Sequence, residues 1–389
     1  MKITFPAENV VLMGSPERER PVFESVPTVP AAGTAGIRRG DKLVIRATVM
    51  AEVWRSVELA AVPAASAALP VFVPAVHRAG FHYAEVELTQ GKNTLIARDR
   101  VTGETVEHTV FYAPGLLMKY RFSLDDNIWF LQDLAKNAGS YRTVFENPYL
   151  ALLKRMHDRY GTKFHVNIYR HCPEHGGFDL TMMPDCYKPE FRANADWLRF
   201  SFHADANLPD HPYLFGTYEQ YYRECSWVNE QILRFAGEEA FAKSVTTVHW
   251  GDGPSEVVRA ARDLGIRVLV LSGIEGNPGN ITIAMDLDAR QCALLNQYGV
   301  IYSPKTDMFY VRYGVGIQHT KLETIEQDTV QWEKTHPLYR FRELCVHEEY
   351  FYPDYSHYMP DYPQRFDTAL RSVTAHGYKP SFISETGLF

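Results

Sequence analysis

Two adjacent carboxylates, Asp125 and Asp126, stand directly after an apolar run at 117–124. Three histidines occupy comparable places: His203 closes the run at 197–203, His249 follows 245–248, and His347 closes 342–347. A divalent cation of the zinc type takes imidazole and carboxylate ligands and, where it catalyses, keeps one position open for water. It brings the pKa of that water towards about 7 and polarises a carbonyl. A carboxylate left free of the metal can take the water's proton, and an imidazolium on the far side can protonate a leaving group. Adjacent aspartates divide such tasks, one meeting the metal while its neighbour turns to the attacking water.

Other constellations carry less chemistry. His171-Cys172-Pro173-Glu174-His175, with Cys186 beyond it, has a spacing unlike the usual structural zinc sets and reads as a polar loop. His347-Glu348-Glu349-Tyr350-Phe351 starts like a zincin motif, but Phe351 stands where the second histidine belongs. The glycine-rich stretch 273–279 lacks the Gly-Lys-Ser/Thr of a phosphate loop, there is no G-x-S-x-G, and Asp286-Leu287-Asp288 is too short for an EF-hand. The run 350–358 is dense in aromatics just after His347, which suits either a sugar-stacking rim or loop packing, and Trp250 has the same two readings.

The elements that must position these groups change character near Pro114-Gly115. Before it, short apolar and β-branched runs alternate with turns such as Gln90-Gly91-Lys92-Asn93 and Thr102-Gly103-Glu104, the pattern of a β-sandwich. After it, strand candidates at 117–124, 163–169, 197–203, 244–250, 266–271, 342–347 and 379–384 alternate with helical stretches. Asn147 and Pro148 mark an N-cap and first turn, with Leu150, Leu153 and Met156 following at helical spacing. Further helices are expected over 218–235, from Pro254 to Gly265, and over 361–375. Residues 272–335 interrupt the alternation, as an insertion with a hairpin at 300–315 and a helix at 320–335. Strands alternating with helices argue for a parallel α/β structure, either a barrel or an open sheet. In a parallel barrel the active site gathers at the C-terminal strand ends, where these carboxylates and imidazoles lie.

The motifs carry a resemblance. Phe122-Ser123-Leu124-Asp125-Asp126 resembles the Thr-Phe-Asp-Asp motif of the polysaccharide deacetylase (NodB-homology) superfamily, and Phe200-Ser201-Phe202-His203 resembles the start of its second motif. Leu344-Cys345-Val346-His347 resembles the late strand whose histidine is the general acid. The resemblance, over about 117–384, implies an α/β fold class: a distorted (β/α)7 barrel at 116–389, preceded by a small all-β sandwich at 1–115. The run 91–112 resembles the last hairpin of bacterial Ig-like modules.

By the same resemblance, Asp125 is the catalytic base, Asp126 and His203 are metal ligands, and His347 is the general acid. Asn207 stands where the family's second-motif histidine belongs. The third ligand is therefore Asn207 through its amide oxygen, or His249, with His211 behind them. The family's Arg-x-Pro-Tyr-Gly segment is replaced by His249-Trp250-Gly251-Asp252-Gly253-Pro254, where the Trp250 N–H is able to serve an oxyanion. The implied activity is removal of an acetyl or similar acyl group from an amino sugar or polysaccharide, with zinc as the expected cofactor. Asn207 and the missing arginine motivate the alternative of a non-catalytic carbohydrate-binding protein on a decayed deacetylase scaffold.

Composition bounds these readings. The chain has 389 residues, a formal net charge of −7 and 46% hydrophobic residues, enough for a large core and two or three domains. A mildly acidic chain is a poor match to nucleic acid or anionic membranes, which select basic faces. The most apolar stretch, 59–76, contains Pro63, Pro70 and Pro74, which would break a spanning helix. Five cysteines without a C-x-x-C pair fit a reducing compartment. The first residues carry no uninterrupted apolar run of signal-peptide type, so a cytoplasmic location is expected, with an extracellular one if the chain is trimmed. The sequence leaves the oligomeric state open.

Overall fold

The computed structural model describes residues 1–14, 37–39, 41–64, 66–67, 69–273, 284–336 and 338–389. Most of the glycine-rich stretch and part of the expected insertion, 274–283, fall outside the described residues. The fold is mixed α/β.

Two mostly antiparallel five-stranded sheets form the first part. In one, Lys42–Met50 lies between Lys2–Phe5 and Phe81–Leu88, and in the other Gly91–Asp99 lies between Thr105–Tyr112 and Val57–Pro63. Their strands alternate as half-buried strands do. Leu43, Ile45, Ala47 and Val49 from the first sheet share one buried cluster with Leu59, Leu95, Ala97 and Val110 from the second.

The second part is built on parallel strands. Lys119–Asn127 is central, paired in parallel with Phe164–Tyr169 on one side and Phe341–His347 on the other. Leu198–Ala204 extends this sheet beyond Phe164–Tyr169, and Val315–Gly316 extends it beyond Phe341–His347. Lys119–Asn127 is buried along nearly its whole length, as a parallel strand covered on both faces should be. A second sheet carries Val245–Thr246, Val268–Leu271 and Met308–Arg312 in parallel order. Two links join the sheets. Phe200 exchanges backbone hydrogen bonds with Ala240 and Ala242, both at 2.8 Å, and the chain runs directly from Met308–Arg312 into Val315–Gly316.

Helices cover these strands, the expected ones together with Trp129–Lys136, Lys188–Ala193 and Ala289–Tyr298, which the patterning did not single out. Pro148–Tyr160 starts at Asn147, whose side chain accepts the Leu150 N–H at 2.9 Å, and stops at Gly161 in a left-handed conformation. Tyr218–Phe235 buries Tyr221, Cys225, Val228, Ile232 and Phe235 along its inner face. No helix among the described residues is long and apolar enough to cross a membrane.

Three expected elements come out differently. The strand expected at 244–250 is only Val245–Thr246, because the chain turns at Val248 into a 3-10 turn, His249–Gly251. The strand expected at 379–384 is only Lys379–Pro380, since a 3-10 turn follows at Ile383–Glu385. The hairpin expected at 300–315 forms between Val300–Ser303 and Met308–Arg312, but its second strand also pairs in parallel with Val268–Leu271. That stretch of the expected insertion is part of the second parallel sheet, and it meets one of the N-terminal sheets: the Tyr302 N–H donates to the Asn9 carbonyl at 2.8 Å, and Phe111 packs edge-on against Phe309.

Candidate metal centre

Adjacent strand residues normally face opposite sides of a sheet. Asp125 and Asp126 escape this rule through a bulge. Leu124 pairs with Val166 and Asn127 with Ile168, so three steps on one strand match two on the other, and Asp126 adopts a left-handed φ of 59°. A non-glycine residue held there costs on the order of 1–3 kcal/mol. A second bulge lies at His203, between the pairs Ile168–Phe202 and Tyr169–Ala204. Both irregularities fall at the C-terminal strand ends and aim side chains into one cavity of about 530 Å³.

In that cavity Asp126, His203 and His249 converge. Asp126 Oδ1 lies 2.9 Å from His203 Nε2 and 3.2 Å from His249 Nδ1, and the two ring nitrogens are 3.3 Å apart. A tetrahedral ion with bonds of about 2.0–2.1 Å would set its ligand atoms about 3.3–3.4 Å apart, close to this triangle. The outer nitrogens are engaged by backbone: His203 Nδ1 meets the Thr247 carbonyl at 2.5 Å, and His249 Nε2 meets the Asn207 carbonyl at 3.1 Å. A carbonyl accepts only, so each imidazole puts its N–H outward and its lone pair inward, the arrangement that orients metal-binding histidines. Two ring lone pairs and a carboxylate oxygen thus face one point, which demands positive charge there, either protons or a cation. Burial opposes ionisation of Asp126, yet the imidazoles of His347, His249 and His203 hold its carboxyl well below the usual range. Burial likewise opposes charge on His203, and Asp126 overrides it and raises that pKa.

The remaining residues singled out from sequence surround this triangle. Asp125 stands beside it without joining it. Its Oδ1 accepts from the Ser123 hydroxyl at 2.7 Å and from the Asn167 amide at 2.6 Å, and its Oδ2 accepts from the Tyr313 hydroxyl at 3.0 Å. His347 faces the other oxygen of Asp126, with Nδ1 3.4 Å from Oδ2. Trp250, 40% exposed, lines the cavity. Asn207 reaches the Tyr169 hydroxyl with Oδ1 at 3.2 Å, while its backbone carbonyl holds His249. His211 is turned away onto buried Asp252, 2.5 Å from Nδ1 to Oδ2, and its ring packs against Trp250. Of the three alternatives for a third ligand, His249 completes the triangle.

Sequence reasoning missed Tyr169, Tyr313 and Glu349. The buried Tyr169 hydroxyl donates to Asp126 Oδ1 and lies 3.0 Å from His249 Nδ1. Glu349 is 8% exposed, and burial together with the Asp126 carboxylate pushes its pKa well up. The loop 171–175 stays apart from the cation-competent groups, His175 stacking on Trp129 with ring centroids 3.7 Å apart.

No protein-family model matches the sequence, and no curated protein matches it. Among solved structures the chain is similar to the 4-alpha-glucanotransferase of Thermococcus litoralis, at 11% identity and a TM-score of 0.45, covering 69% of this chain and 40% of that one. It is also similar to a Bacteroides uniformis beta-glucuronidase, at 10% identity and a TM-score of 0.31, covering 87% of this chain and 42% of that one. The chain therefore spans less than half the length of either. At these identities and scores the likeness decides neither the fold nor the chemistry.

Proposed function

We propose that this chain is a metal-dependent hydrolase of the polysaccharide deacetylase type, removing an acetyl or similar acyl group from an amino sugar or glycan. The observation that carries the reading is the inward-facing triangle of Asp126, His203 and His249 with a second carboxylate, Asp125, adjacent to it. On this reading the parallel strands are a distorted (β/α)7 barrel, and the two N-terminal sheets are an Ig-like module set against it.

Asp126, His203 and His249 would hold a divalent cation, zinc by its taste for two imidazoles and a carboxylate. When bound, the ion supplies Lewis acidity towards a carbonyl oxygen and acidifies water. The protein's groups do the rest. Asp125, oriented by Ser123, Asn167 and Tyr313, takes the proton of the attacking water. The Trp250 N–H steadies the developing oxyanion. His347, on the neighbouring strand with a ring nitrogen within 4.8 Å of an Asp125 oxygen, delivers a proton to the departing nitrogen or oxygen. Trp250, Tyr350 and Tyr355 give the cavity aromatic faces suited to a sugar ring.

The test is acyl release from a panel of N- and O-acetylated sugars and glycans by zinc-loaded protein. Acetate release that a chelator abolishes and zinc restores supports the reading. Metal-loaded protein that binds glycans and releases nothing from the whole panel overturns it in favour of a binding protein. Release only from non-sugar amides would overturn the sugar assignment alone.

A further inference from the structure

We propose that Asp126, His347 and Glu349 form a second divalent-cation site beside the first. Asp126 has two oxygens with different neighbours. Oδ1 faces His203 and His249, whereas Oδ2 lies 3.4 Å from His347 Nδ1. That nitrogen is 4.0 Å from Glu349 Oε1, and one ligand atom from each of the three residues falls within 4.8 Å of the others.

Glu349 points to a missing partner. Its side chain is nine-tenths buried, and Oε2 accepts no hydrogen bond among the described residues. A buried carboxylate oxygen without a donor is costly. The described cavity lining holds Asp125, Asp126, Asp210 and Glu349 but no lysine or arginine. Positive charge must therefore come from histidine protons or from metal. Two carboxylates and one imidazole suit a zinc- or manganese-type ion, and a shared carboxylate sets two such ions about 3.5–4 Å apart.

The two sites differ in readiness. The first has ligand atoms 2.9–3.3 Å apart and imidazoles aimed by backbone carbonyls. The second has wider spacings, 3.4 and 4.0 Å, and a half-buried His347. It fills second, at higher metal concentration. The site stands independently of the hydrolase reading above.

Metal content decides it. Protein equilibrated with increasing zinc is assayed by elemental mass spectrometry and by calorimetric titration. The expected result is two zinc ions per chain bound in two steps, and one ion for Glu349→Gln. A single ion in the wild type overturns the proposal while leaving the first site standing, and no ion overturns both. Two ions in Glu349→Gln also overturn it, because the second then lies elsewhere. Manganese-loaded wild type needs no variant: two ions sharing Asp126 give an exchange-coupled electron paramagnetic resonance spectrum. Two uncoupled ions overturn the proposal.

Discussion

Tyr313 donates its hydroxyl to Oδ2 of Asp125 at 3.0 Å, across a separation of 188 residues. The tyrosine stands on the link between Met308–Arg312 and Val315–Gly316, where the chain passes from one sheet to the other. Its backbone N–H donates to the Leu271 carbonyl at 2.7 Å, which fixes the approach of the ring. Asp125, the proposed general base, is thus oriented by uncharged donors: Tyr313, Ser123 and Asn167. A hydrogen bond to an ionised carboxylate is worth about 1.5–3 kcal/mol. Tyr313→Phe should therefore lower acetate release about tenfold or more with zinc content unchanged. A loss of zinc in this variant would show that Tyr313 acts through the metal centre and not through Asp125.

Asp125 itself should matter more. It lies outside the metal triangle and holds no position in it. Asp125→Asn keeps the size and most of the hydrogen bonds but cannot take a proton. The expected loss is about a hundredfold or more in acyl release, the usual contribution of a general base. Zinc content and affinity should stay at the wild-type level. Equal activity of the two proteins would remove Asp125 from the chemistry.

Much of this arrangement is legible in the sequence, for an identifiable reason. Asp125, Asp126, His203 and His347 each end an apolar run, and polar groups at strand ends need no tertiary information to be noticed. The residues that were missed do need it. Tyr169 ends a strand whose aromatic character suits a core equally well. Tyr313 sits in what reads as a hairpin, because local alternation does not say which distant strand will be a partner. Glu349 drops from view together with the incomplete zincin pattern. The bulges at Asp126 and His203 are invisible to any period-two reading, yet they are what allows neighbouring side chains to face one cavity.

The third corner of the metal site yields a graded prediction. His249→Ala removes a ring nitrogen 3.2 Å from Asp126 Oδ1, so zinc binding should fall by far more than in any neighbouring variant. Tyr169→Phe removes a hydroxyl that lies on two corner atoms of the triangle, Asp126 Oδ1 and His249 Nδ1, and leaves all three corners in place, so affinity should change by less than in His249→Ala. Asn207→Ala keeps the backbone carbonyl that orients His249 and should change affinity only severalfold. Competition with a chromogenic chelator measures all three. If Asn207→Ala proved the most damaging, the amide oxygen would be the ligand and His249 its support.

Two buried carboxyls should weaken stability as pH rises through the near-neutral range, measured on chelated protein. Glu348 is fully buried and accepts the N–H groups of Ile128 and Phe130, both at 2.7 Å, and the Tyr352 hydroxyl at 2.7 Å. Burial outweighs these donors and pushes its carboxyl up to about 7. Burial also pushes Glu343 up to about 8, although Arg121 pairs with it. Above the ordinary carboxylate value the unfolded chain has lost these protons while the folded chain keeps them. Folding then binds protons, and each such group removes up to about 1.4 kcal/mol per pH unit as pH rises. The effect of Glu348 ends near pH 7 and that of Glu343 near pH 8. Burial holds the imidazoles of His108, His165, His175 and His319 below the ordinary histidine value, which acts with the opposite sign up to about pH 6.5, so the carboxyls are read from a difference. Urea midpoints at pH 5, 6, 7 and 8 should fall less steeply with pH below pH 7 in Glu348→Gln than in the wild type, with the step from pH 7 to 8 unchanged. Equal slopes in the two proteins would mean that Glu348 is already ionised when folded, its hydrogen-bond donors outweighing burial.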